Sequence, residues 1–388
     1  MALAEYIEEG NNKSSIFWDQ QTQCLILHWQ PDDSPACITR IGSWQQGLMC
    51  EMEDEEGCYP LPICEDLGID LLNSVDHPEV EQWLATIPRQ VLLQAAFFGA
   101  LNFILARLAA ASQSAADLLM HNPVLLMLWL NFALQKKLDD ASLLAGLEAK
   151  QAQILKRMGL FGSRASAKLL RRIDVANINK ISAGVIGRVW KNQAMVVALF
   201  HQREISPLCL KNIIFFTWSI GSPFFQLLPT ISFEQRQYVD DTLRMSNGEA
   251  VDLLRACRSW QQVLQVHDRF VIRVNAGRSG QHLLLDDDGN PLPFPEPPLV
   301  GNDCIQPVLT LEQLKNVGQS MEHCVLSYGV IIQRGEYFVY QHQGGEPLTI
   351  GVNVRQGKAI SIDQIKGPKN CSPSAEALDY IQAWFTAQ

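Results

Sequence analysis

The stretch VLLQAAFFGALNFILARLAAA, residues 91–111, most restricts what this 388-residue chain can fold into. It is apolar almost all round at helical spacing. It therefore has no polar face to give to water, and protein or lipid must enclose it. A membrane span needs about twenty residues with few or no charges, and Gln94, Gly99, Asn102 and Arg107 interrupt this one. NPVLLMLWLNFAL (122–134) and IIFFTWSIG (213–221) are equally apolar but too short to span. Together the three predict core helices of a large helical domain over residues 76–267, with no membrane partner. Asn122-Pro123 fits a helix start, with Asn as N-cap and Pro in the first turn. A hydrophobic content of 47% with 19% charged residues supplies a sizeable core, and the length suffices for about two or three domains.

The net charge of −10 is unevenly spread. Residues 1–75 carry fourteen acids and two bases, whereas residues 76–388 carry 27 acids and 29 bases. The low pI thus describes the N-terminal part and does not exclude a nucleic-acid partner for the rest. Within that acidic part, SSIFWDQQTQCLILHWQ (14–30) alternates at period two through Ile16, Trp18, Leu25, Leu27 and Trp29 around a polar tip at 19–22. It predicts two strands, with further short ones at 36–42 and 47–51, and hence a mainly-β domain over 1–75. The run 51–56 reads as an acidic loop, either a solvated face or a decoy for a basic partner. The N-terminus is acidic and lacks the apolar core of a secretory signal. The ten cysteines show no CxxC spacing. Both features predict reduced thiols in a cytoplasmic protein. Cys50, Cys58 and Cys64 could supply zinc ligands, but their spacing departs from the common knuckles, so no metal site is assigned.

Residues 149–173, AKQAQILKRMGLFGSRASAKLLRRI, carry seven bases and no acid. Gly159 and Gly162 divide them into two helices. On the second, Arg164, Lys168, Arg171 and Arg172 share one face, while Leu169, Leu170 and Ile173 face away. A glycine-hinged pair with a basic face can bind phosphates, or can mimic a helix-turn-helix. The plain alternatives are a solvated basic helix, or one salt-bridged to the acidic N-terminal domain.

RFVIRV (269–274) alternates like a strand, and DDDGNPLPFPEPPLVGND reads as a loop or linker, so residues 268–304 form a Pro/Gly-rich connection. A boundary is placed near 267. Beyond it, Thr310 and Gln313 form a capping-box pattern that starts a helix. MEHCVLSYGVIIQRG (321–335) reads as a second helix, with Cys324 and Tyr328 on one side and Gly335 as its left-handed end. Residues 337–342, 348–354 and 359–365 read as three strands with glycine turns at 344–345 and 357. Ser372-Pro373 opens a last helix that reaches Trp384 or Phe385. Residues 305–388 thus form an α+β unit built on a three-stranded antiparallel meander, and the whole chain is α+β.

The order of Leu314 and Gly318, His323-Cys324-Val325 and Tyr328, Gly335, Thr349, Gln364, Gly367, Asn370 and Trp384 resembles the PcfJ-like family. The proline-rich entry FPEPPLVGNDCIQPVLT has the same look. The resemblance covers roughly residues 290–388, with a softer likeness in HNPVLLMLWL and AKLLRRI. It implies a protein of bacterial mobile genetic elements, conjugative plasmids and phage-like elements among them. It implies a setting more than a reaction.

Adjacent His323 and Cys324 cannot easily form a thiolate–imidazolium dyad, because neighbours point about 100° apart on a helix and to opposite faces on a strand. A Cys324 nucleophile would need another base, such as His342. His323 as general acid or base toward a phosphodiester, helped by Tyr328 with Gln364 or Asn370 holding the substrate, is the sensible catalytic set. Asp363 offers a divalent metal one carboxylate, too few for a two-metal nuclease, and no cofactor motif is present. Lys366 and Lys369 flank the Gly367–Asn370 turn and could hold a phosphate. Each of these residues also has a plain structural use: Cys324 in a core, Tyr328 anchored by its hydroxyl, Gly367 and Asn370 in a turn with positive φ. The expected function is a nucleic-acid-associated accessory or defence protein that binds DNA or RNA through the basic helix and the C-terminal module. Two alternatives stand beside it, a nuclease or other hydrolase centred on His323, and a non-catalytic scaffold that docks a protein partner through the helical or acidic domain.

Overall fold

A computed structural model describes residues 15–29, 37–65, 67, 72, 77–176, 183–276 and 283–387. The expected boundary at 75–76 lies outside those residues. The chain is α+β and divides into two compact units, Met1–Gly221 with Leu228–Thr230, and Ser222–Leu227 with Ile231–Gln388. The boundary expected near 267 falls inside a helix of the second unit.

The first unit opens on a five-stranded antiparallel sheet in the order β1 (Ser15–Asp19), β2 (Cys24–Trp29), β3 (Cys37–Gly42), β4 (Cys50–Asp54) and β5 (Gly57–Leu61). The expected hairpin about residues 19–22 is present. The expected acidic loop is mostly strand: Glu51, Glu53 and Asp54 belong to β4, and the turn to β5 is Glu55-Glu56. β5 has two-sided exposure and a proline, so periodicity did not announce it.

Residues 91–111 are not one helix. They form Arg89–Ala95, a 3-10 segment Ala96–Leu101 and Asn102–Ala111. Gly99 breaks the run at φ 53°, ψ −126°, a conformation open to glycine. By length and composition residues 89–111 could cross a membrane, yet 56% of the apolar window is buried within the protein. Arg107, 2% exposed, explains the charge inside this stretch. Its guanidinium donates to the carbonyls of Leu48, Leu61, Pro62 and Ile63 at 2.7–3.2 Å. Those carbonyls terminate the sheet, so one buried cation staples it to the helical core. Trp83 adds a second tie, its indole donating to Gly42 O at 3.1 Å.

Further on, the helix Pro123–Lys136 packs so tightly that a Cβ on Gly146 would lie 2.0 Å from the Trp129 ring. Asn122 and Pro123 do open it, but the Asn122 amide caps nothing. It donates to Gln151 and to Ala167 O, tying this helix to the basic segment.

The second unit holds the helices Phe233–Met245 and Trp260–Asn275, then a four-stranded antiparallel sheet in the order β6 (Ile305–Pro307), β7 (Tyr337–His342), β8 (Leu348–Arg355) and β9 (Lys358–Lys366). RFVIRV lies on the second of those helices, not on a strand. Its buried residues Val263, His267, Phe270, Val271 and Val274 keep the 3.6 period, and the alternation over six residues was too short to discriminate. β6 is an edge strand beyond the expected three. One sheet face packs Phe338, Tyr340, Ile350 and Val352 against Ile381 and Trp384 of the last helix, Ala375–Thr386. That helix is capped by Ser374, two residues past the expected Ser372. The opposite face carries Tyr337, Thr349 and Gly351.

Replacing Arg107 with Met keeps much of its length and leaves four carbonyls without their donor. We expect a loss of about 3 kcal/mol in urea unfolding. A loss below about 1 kcal/mol would mean that water replaces the guanidinium.

Candidate functional site

The helix Leu311–Met321 starts at Thr310, whose hydroxyl accepts from Gln313 N at 3.1 Å, as the capping pattern predicts. It ends at Glu322, which turns left-handed at φ 53°. His323 is then extended, and Cys324–Tyr328 coil as a 3-10 segment instead of the expected α-helix. An α-helical segment, Gly329–Gln333, follows, and Gly335 takes the expected left-handed conformation at φ 72°.

This segment lies over the sheet face that carries Thr349 and Gly351. Between them is a small pocket lined by His323, Cys324, Tyr328, Tyr337, Gln364 and Asn370 among others. All four residues of the expected catalytic set therefore meet at one place. Its free space is about 20 Å³, enough for about one water.

His323 is 4% exposed, and its Nε2 lies 3.0 Å from the Thr349 hydroxyl. Burial pushes its pKa down to about 4, so the ring is a neutral hydrogen-bonding group at pH 7. Tyr328 donates to Asp241 Oδ1 at 3.1 Å and accepts from the Gln364 amide at 2.7 Å. Burial pushes its pKa up to about 12, against the opposing pull of Arg244. The Cys324 thiol donates to Asp241 Oδ2 at 3.4 Å, and burial raises its pKa as well. His342 is not its base: the His342 Nδ1 lies 2.7 Å from Glu346 O.

Asp241 was absent from the sequence-derived set, yet it is the hub. Arg244, one turn on along the helix Phe233–Met245, bonds its Oδ1 and also stacks 3.9 Å above the Tyr328 ring. Tyr328 in turn stacks on Tyr337 at 4.7 Å. The sequence signal was DDTLR, an i, i+3 acid–base pair on a helix, easily passed over as surface charge.

A bulge in β9 completes the arrangement. Gln364 pairs with Gly351 and Ile362 with Val352, which leaves Asp363 as the extra residue. Asp363 accepts from the Tyr337 hydroxyl at 3.1 Å, and Gln364 serves Tyr328. Neighbours that strict alternation would send to opposite faces thus serve one tyrosine pair. At the turn beyond, Asn370 has the expected positive φ of 59°, and so does Lys369 at 55°. Gly367 does not: its φ is −87°, and it is small because a Cβ would lie 2.5 Å from Cys371 Sγ. Lys369 sits 3.7 Å from Glu322 on the surface, and Lys366 joins the pocket lining. Cys50, Cys58 and Cys64 are not brought together as a metal site: among the described residues the one group of three or more metal-binding side chains is Asp241, His267 and Cys324.

Elsewhere, in the first unit, the basic segment forms the helices Gln151–Arg157 and Arg164–Leu170, joined through Gly159 at φ 71°. A Cβ on Gly162 would lie 2.2 Å from Ala152 O, so that glycine permits the close approach of the two helices. Arg164, Lys168, Arg171 and Arg172 are all exposed, and Leu169, Leu170 and Ile173 are buried. Arg172 is committed elsewhere: its guanidinium donates to Phe200 O and Gln202 O at 2.8 and 2.7 Å. Among the described residues none of the four makes an ion pair, with the N-terminal sheet or otherwise.

The buried imidazole of His323 has a consequence for pH. The unfolded chain binds a proton at His323 below about pH 6.5, while the folded chain does not until about pH 4. Its contribution is complete above pH 6.5 and is lost as pH falls through that window, up to about 3 kcal/mol. The difference in unfolding free energy between the protein and His323→Gln should therefore shrink from pH 7 to pH 4, and a pH-independent difference would mean a solvated ring. No protein-family model, no curated protein and no solved structure matches the chain, so what it does has to be read from its own side chains.

Proposed function

We propose that the protein binds nucleic acid through the helix Arg164–Leu170. The carrying observation is an exposed basic face free of carboxylate partners among the described residues. Seven bases without an acid over residues 149–173 create a local positive field inside a chain of net charge −10. Such a face neutralises phosphates of a polyanion and frees their condensed counterions into solution, which favours binding. Leu169 and Leu170 anchor the opposite side of the helix in the core, so the cations are held on a fixed support. The resemblance of residues 290–388 to the PcfJ-like family supplies the setting, an accessory or defence protein of a bacterial mobile element.

Replacing Arg164, Lys168 and Arg171 together with Glu should abolish binding to mixed-sequence DNA or RNA at low salt. Arg172 is left in place because its hydrogen bonds are structural. For the unaltered protein, log affinity should fall with log salt, and neutralising the three residues should reduce that slope by about 2–3. Absence of binding at low ionic strength would end this reading.

A hydrolase centred on His323 is the second reading. It draws on the meeting of His323, Tyr328, Gln364 and Asn370 at one pocket. With room for about one water, a substrate would have to part the Cys324–Tyr328 segment from the sheet. On this reading His323→Ala removes cleavage of a nucleic-acid substrate while the melting temperature stays near that of the unaltered protein. A large fall in melting temperature would instead assign His323 to the core.

A further inference from the structure

In the second unit, three metal-binding side chains from three separate segments converge in the core. Asp241 comes from the helix Phe233–Met245, His267 from Trp260–Asn275, and Cys324 from the 3-10 segment. Their ligand atoms all lie within 4.8 Å of one another, and all three residues are buried. In a tetrahedral zinc site, bonds of about 2.0–2.3 Å put ligand atoms about 3.3–3.8 Å apart, so closure needs the ligand atoms to approach by at most about 1.5 Å. Cys324 Sγ and Asp241 Oδ2 are already 3.4 Å apart.

The second observation is His267 itself. It is 1% exposed, and its Nε2 is buried with no hydrogen-bond partner. Leaving a polar nitrogen unpaired in a core carries a cost that a metal bond would remove. Its other nitrogen, Nδ1, lies 3.1 Å from Asp268 Oδ1. A carboxylate there fixes the Nδ1–H tautomer and leaves the buried Nε2 with its lone pair unused, the tautomer metal-bound imidazoles use. Asp241 is oriented in the same way: Tyr328 and Arg244 occupy Oδ1, and Oδ2 faces the thiol.

We propose that Asp241 Oδ2, His267 Nε2 and Cys324 Sγ form a three-ligand site for a zinc-class divalent ion. The thiolate and imidazole select zinc or cobalt over magnesium or calcium, which prefer oxygen ligands. On binding, the Cys324 S–H bond breaks, its proton goes to solvent, and the sulfur pair goes to the metal. The ion ties together the two helices and the 3-10 segment that forms one side of the pocket. The site is independent of the nucleic-acid reading, which rests on the first unit.

Cobalt(II) is the probe, added to the 388-residue chain after chelator treatment. About one equivalent should bind, produce thiolate-to-cobalt charge-transfer absorption and raise the melting temperature. Cys324→Ser should lose the charge-transfer band, and His267→Gln and Asp241→Asn should bind at least about tenfold more weakly. Asp268→Asn, outside the ligand set, should weaken binding by about tenfold through the His267 orientation. A folded protein without the band overturns the site, and so does a band that survives Cys324→Ser. If Cys324→Ser does not fold, His267→Gln decides, because it keeps all ten thiols: an undiminished band overturns the site, and a lost band supports it.

Discussion

The second unit depends on the donors gathered around one carboxylate. Asp241 is 8% exposed, and a buried carboxylate costs several kcal/mol unless donors surround it. Arg244, Tyr328 and Cys324 supply them, two from the segment after Glu322 and one from the helix of Asp241 itself. The segment 321–335 is broken by a left-handed Glu322 and a 3-10 turn, and from it both Cys324 and Tyr328 reach the same acid. Gln364 and the Tyr337 stack then extend the network to the sheet.

The fold class, the N-terminal hairpin, the Thr310 cap and the turns at Gly335 and Gly345 were legible because each is written in a few neighbouring residues. His323, Tyr328, Gln364 and Asn370 were grouped by their chemistry, as an acid–base pair with polar groups to hold a substrate, and the four line one pocket. What escaped depends on distant partners. Asp241 and His267 lie some eighty and fifty-odd residues before Cys324 and sit in a stretch that reads as ordinary helix. Arg107 looked like an interruption of an apolar run, and only the sheet's terminal carbonyls give it a purpose. The β9 bulge reverses the facing of Asp363 through hydrogen bonding, which a two-residue period cannot express.

Charge outside the core is used in two ways. In the first, the exposed cations of Arg164–Leu170 stand in high dielectric, where each contributes little to stability and is available to a ligand. In the second, Arg244, itself still open to solvent, is held between Asp241 and the face of Tyr328. Surface cations of the first kind can change with modest structural cost. An exchange of Arg244 for Lys would lose the planar stack and the directed bond together.

Gly351 carries one last consequence. An ideal Cβ at this position would lie 1.8 Å from the Tyr337 hydroxyl oxygen, so the phenol passes through space that only glycine leaves open. Tyr337 lies diagonally across the sheet, with Val339 and not Tyr337 paired to Gly351. Sliding β8 by one residue would drive Ile350 or Val352 into that oxygen. The tyrosine thus acts as a gauge of strand alignment, admitting one pairing of β7 with β8 and rejecting its neighbours.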